Sequence, residues 1–78
     1  MSIEAKVKEI FQEVLDIKPE EIGSDAKLDQ GLGIDSTEMV EITVALKKAF
    51  NLEIENNYLK KSQSLNEIVE ALKAKGAK

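Results

Sequence analysis

The sequence predicts a small all-α protein: a four-helix bundle with three principal helices and one short one. Two observations carry that prediction. Apolar residues recur at three- and four-residue intervals in three separate stretches, each opened by a residue suited to cap a helix. No stretch sustains period-two alternation with β-branched residues, as strands require. The 78 residues are expected to form one domain, spanning 1–78, with a modest core. Stability on the order of 5 kcal/mol follows from that size.

In the first stretch, Ile3, Val7, Ile10, Phe11, Val14 and Leu15 share one helical face, with lysines and glutamates between them. Ser2 is its expected N-cap. The helix should end around Asp16, because Pro19 disfavours helical geometry at Lys18. From Lys18 to Ile34 the periodicity dissolves into a connection carrying Gly23, Gly31 and Gly33. Irregular connections of that length are uncommon in compact domains unless they serve a function. Several of Ile22, Leu28, Leu32 and Ile34 are expected to tack it to the core.

The second principal helix opens on Asp35, with Glu38 three residues on, the spacing of a capping box. Met39, Ile42, Leu46, Ala49 and Phe50 form its apolar series, and Val40 and Val44 lie on a neighbouring face. Lys47 and Lys48 fall in the last turns, where cations complement the helix dipole. Another irregular stretch, Leu52–Ser62, is expected to hold a short helical turn around Tyr58. Ser64 and Glu67 repeat the box before Leu65, Ile68, Val69 and Leu72, with fraying expected over Ala74–Lys78.

Composition narrows the function. Fifteen acidic residues stand against eleven lysines and no arginine, for a net charge of −4. Such a chain is poorly suited to a phosphate backbone, so no nucleic-acid partner is expected. It suits a partner with a basic surface, since complementary charge speeds encounter. Cysteine and histidine are both absent, which excludes disulfides, thiolate or imidazole metal sites, and Ser-His or Cys-His nucleophile systems. No apolar run reaches the length of a membrane span, so no insertion is expected and the chain reads as cytoplasmic; it is also expected to be a monomer. Only three aromatics, Phe11, Phe50 and Tyr58, leave the core mostly aliphatic.

The remaining candidate for chemistry is Gly33-Ile34-Asp35-Ser36-Thr37, which delivers a hydroxyl to the start of a helix. First-turn amides there favour a phosphoryl group, although a serine so placed is most often only a cap. The residues alone leave both readings open. A calcium loop starting at Asp25 is excluded, because Lys27, Gln30 and Ser36 occupy positions that need an oxygen ligand, glycine and glutamate. No metal site is expected.

The order of elements, together with Leu32-Gly33-Ile34-Asp35-Ser36, Val40-Glu41, Ala45-Leu46, Phe50 and Glu53-Ile54, resembles the acyl carrier proteins from Ile3 to about Leu72. The resemblance implies that Ser36 bears 4′-phosphopantetheine taken from coenzyme A by a phosphopantetheinyl transferase. The thiol then belongs to the arm, and the protein is a carrier of acyl thioesters in fatty acid or related biosynthesis, not an enzyme. It also implies partner enzymes with basic patches docking on Asp35, Glu38 and Glu41, with Thr37, Val40 and Val44 beside them. Capping and solvation suffice to explain Asp35 and Glu38, whereas Glu41 has no capping role. An acyl chain would fold back among Met39, Ile42, Leu46 and Ile54, which otherwise read as plain core.

Two departures bear on the clientele. Thr37 stands where the family usually has leucine, and Lys47 and Lys48 stand where many members keep acids. A specialised carrier for a polyketide, aminoacyl or lipid-modification pathway is the alternative. An unmodified helical interaction module is a third reading, of a different class.

Overall fold

A computed structural model describes residues 2–23, 25–55 and 57–77. Helix α1 spans Ile3–Leu15, with the Ser2 side chain accepting from the Ala5 N–H at its start. It ends as Asp16 enters the left-handed region at φ 56°, its N–H donating to Gln12 O. Pro19 stands three residues past Asp16 and opens a single 3-10 turn, Pro19–Glu21. Proline suits that first position because its missing N–H would have had no partner.

The connection to the next long helix is less irregular than its sequence suggests. Besides the 3-10 turn it contains a short helix, α2, over Leu28–Gly31. Around Tyr58 the expected helical turn is present as a hydrogen-bonded turn, with the Tyr58 N–H donating to Glu55 O at 3.0 Å, and the one short α-helix among the described residues is α2. The physical reason is non-local. Leu28 and Asp29 donate their N–H groups to Gln63 O and Lys61 O at 3.0 and 2.9 Å, so the far end of the chain holds α2 in place. Lys27 and Ser64 form an isolated antiparallel bridge beside these bonds. Of the four apolar residues expected to anchor this connection, Ile22, Leu28 and Ile34 are buried, while Leu32 is half-buried.

Helix α3 spans Ser36–Phe50 and helix α4 Leu65–Ala74, each closed at its N-terminus by the expected capping box. Helix α1 packs against both, so its buried residues Val7, Ile10 and Phe11 meet Met39, Ile42 and Leu46 of α3 and Leu65, Ile68 and Leu72 of α4 in one cluster. Each such side chain contributes roughly 1.5–3 kcal/mol of hydrophobic stabilisation against the entropy of ordering it. Lys6 of α1 lies over the Phe50 ring at 5.6 Å and closes the outer seam between α1 and α3.

The end of α4, where fraying is expected, is closed by hydrogen bonds. Lys75, Gly76 and Ala77 donate their N–H groups to carbonyls of Ala71–Lys73, and Gly76 adopts φ 105° to make that turn. Lys75 packs over the Tyr58 ring at 4.5 Å and pairs with Glu55 at 3.7 Å. Lys78, the last residue of the expected fraying, lies outside the described residues. No strand occurs among the described residues, and no helix is long and apolar enough to cross a membrane.

Candidate functional site

Ser36 is the first residue of α3 and is exposed. The chain reaches it through Ile34, which is buried and donates its N–H to Leu28 O at 3.2 Å. Between them Gly33 takes φ 69°, a backbone conformation open to glycine at little steric cost, and a Cβ there would meet no atom within 4 Å. The hydroxyl is therefore delivered, exposed, by a segment pinned at both ends, with open space beside Gly33.

The cap next to it is complete. Asp35 Oδ1 accepts from the Glu38 N–H at 2.8 Å, and Glu38 Oε1 accepts from the Asp35 N–H at 3.0 Å. Because Asp35 supplies the cap, Ser36 is released from that role, and its side chain makes no hydrogen bond among the described residues. This removes the capping reading of the serine. Ser36 is not the capping residue.

Of the expected docking residues, Thr37, Val40, Glu41 and Val44 share the outward side of α3, while Asp35 is its N-cap and Glu38 lies between that side and the core. Asp35, Thr37, Val40, Glu41 and Val44 are all exposed, and Glu38 is half-buried by its reach back to Asp35. Val40 and Val44 retain 49% and 40% of their surface, the two large exposed hydrophobics among the described residues. The four expected pocket residues behave differently. Met39, Ile42, Leu46 and Ile54 are all buried in the core cluster. An open concavity of about 330 Å³ lies at the far end of α3, lined by Lys47, Glu53, Ile54 and Glu55. Of the four expected residues, Ile54 is the one that lines it.

Two features escaped the sequence reading. Thr43 is buried on the inner face of α3, where its hydroxyl donates to Met39 O at 2.8 Å and so satisfies itself within the helix. Its spacing of four from Met39 and three from Leu46 placed it on that face, but its polarity argued against. Lys47, Glu53 and Glu55 as lining residues had no signal, since two of them sit in irregular chain.

An exposed primary hydroxyl at a helix start, free of side-chain hydrogen bonds among the described residues, fits a covalently attached group. A phosphodiester there would face first-turn amides and the positive end of the helix dipole. No cluster of potential metal ligands occurs among the described residues.

Comparison with known proteins agrees with this geometry. Residues 5–72 match the family described as "Phosphopantetheine attachment site". The chain is 35% identical over 69 residues to the acyl carrier protein of Wolinella succinogenes, covering 88% of this chain and 91% of that one. It is 33% identical over 76 residues to the acyl carrier protein of Bdellovibrio bacteriovorus, covering 97% of each. With the acyl carrier protein of Buchnera aphidicola it shares 35% identity over 77 residues, 99% of this chain and 96% of that one.

Proposed function

The chain belongs to the phosphopantetheine-attachment family of acyl carrier proteins, and on that premise we propose that it carries acyl groups as thioesters on an arm attached through Ser36. Family membership makes it a carrier with a phosphopantetheine prosthetic group rather than a catalyst. The observation that carries the assignment to Ser36 is the division of labour at the head of α3. Asp35 takes the cap and leaves the neighbouring hydroxyl exposed and unbonded.

In the attachment step, Ser36 Oγ forms a bond to the phosphorus of coenzyme A that bears pantetheine. The bond from that phosphorus to the adenosine bisphosphate half breaks, and the hydroxyl proton leaves to a base of the transferase. The arm supplies the thiol that the sequence lacks. The protein's own residues hold the attachment point and steady its phosphodiester through the helix start. They also present a face to the enzymes that load and process the cargo. Asp35, Thr37, Glu38, Val40, Glu41 and Val44 form that face, in a cytoplasmic pathway of fatty acid or related biosynthesis.

The carried acyl chain is taken into the core beside Met39, Ile42, Leu46 and Ile54. Ile54 already borders the concavity, and Leu46 precedes its lining residue Lys47. Both support entry from that end of α3.

Incubation with coenzyme A, magnesium and a broad-specificity transferase should raise the intact mass by one phosphopantetheine. Ser36→Ala should stay folded and unmodified. A parent chain that stays unmodified by several active transferases would overturn the assignment.

A further inference from the structure

The outward face of α3 changes sign along its length. Thr37, Glu41, Val44 and Lys48 recur at intervals of four, three and four, so they form one stripe opposite the buried Met39, Ile42, Thr43 and Leu46. All four are exposed. Glu41 and Lys48 stand seven residues apart, about 10 Å along the axis. Neither makes an ion pair among the described residues. Between them lies Val44, with Val40 alongside, both exposed hydrophobics. The stripe is thus an apolar centre flanked by an unpaired anion toward Ser36 and an unpaired cation away from it.

We propose that this face is read as a charge pair, so that Lys48 selects an enzyme that places a carboxylate opposite it and a basic group opposite Glu41. The occupant is the phosphopantetheinyl transferase of the same organism. An enzyme acting on Ser36 Oγ has to cover the head of α3, and the stripe continues from there along the same helix. The proposal rests on the carrier reading but departs from a uniformly acidic docking helix. On that helix Lys48 would be a liability toward a basic enzyme. Lysine at a helix end also complements the dipole. That role is local to this chain and predicts no effect on a partner, so the two are separable.

The test is kcat/KM for arm transfer to Ser36 by that transferase, at low and high salt. The chains compared are the parent, Glu41→Lys, Lys48→Glu and the double variant Glu41→Lys/Lys48→Glu. Each single reversal changes net charge by two in opposite directions, and the double restores the parental −4. Paired recognition predicts that each single reversal lowers kcat/KM about fivefold at low salt, with the double lowest and all differences shrinking at high salt. If only overall charge mattered, Lys48→Glu would raise kcat/KM and the double would match the parent. If Lys48 served only the helix dipole, Lys48→Glu would leave kcat/KM unchanged. Either result overturns the proposal. Thermal midpoints of all four chains, and Lys48→Gln as a milder variant, separate lost recognition from lost folding. A parent that never gains the arm would instead overturn the carrier reading itself.

Discussion

Asp35 and Glu38 cap each other across the first turn of α3, each carboxylate accepting the other residue's N–H at 2.8 and 3.0 Å. The pair flanks Ser36, so the same two side chains that end the loop also set the position of the hydroxyl. A reciprocal cap of this kind contributes about 1 kcal/mol. In a domain whose total is on the order of 5 kcal/mol, that is a large share.

Substitution at Asp35 should therefore separate two roles. Asp35→Ala removes the acceptor and should lower the thermal midpoint by roughly 4–8 °C. Asp35→Asn keeps an oxygen that can accept the Glu38 N–H and should stay near the parent. If Asp35 also meets a partner through its charge, the asparagine variant should load more slowly at low salt while melting normally. Equal melting of the alanine and parent chains would show that the cap contributes nothing.

Glu67 makes the corresponding contacts at the head of α4, and its pKa is lowered from the ordinary glutamate value. The Ser64 backbone N–H is the main cause, followed by the Lys27 ammonium at 3.3 Å. A carboxylate held lower in the folded state than in the unfolded one stabilises the fold above its unfolded pKa. That stabilisation is lost as pH falls through the folded value. Glu67→Gln retains an acceptor for Ser64 but no charge for Lys27. Thermal unfolding of both chains from neutral pH into acid should show the parent's advantage at neutrality shrinking as Glu67 protonates. A constant difference across that range would assign the advantage to something other than this charge.

Both caps were legible because Asp-x-x-Glu and Ser-x-x-Glu are local patterns with a local mechanism. The inner faces of α1, α3 and α4 were legible for the same reason: spacing alone assigns Val7, Ile42 and Leu72 to the core. Helix α2 was not. Four residues, Leu28–Gly31, carry no periodicity, and their conformation rests on bonds to Lys61 and Gln63 more than thirty positions away. Likewise Ser36 was ambiguous in sequence, since any serine before an apolar run can be a cap. The geometry bears out the Asp35 cap that the Asp-x-x-Glu spacing predicts, and adds that the Ser36 hydroxyl beside it is exposed and unbonded among the described residues.

The proposed acyl pocket makes a prediction in which stability reports cargo. A chain entering beside Ile42 and Ile54 leaves water, and each buried methylene is worth about 0.8 kcal/mol. Successively longer acyl groups on the arm should then raise the thermal midpoint until the available space is filled. Ile42→Val and Ile54→Val each remove one methylene and should cost about 0.5–1.5 kcal/mol without unfolding the domain. Space so created lies where the cargo would lie, so long-chain loading should recover part of that loss, and the gain on acylation should exceed the parent's. Val7→Ala, in α1 and outside the proposed lining, should lose stability but gain no more than the parent does on loading. Midpoints that ignore chain length, or that rise equally in all three variants, would place the cargo outside the helices.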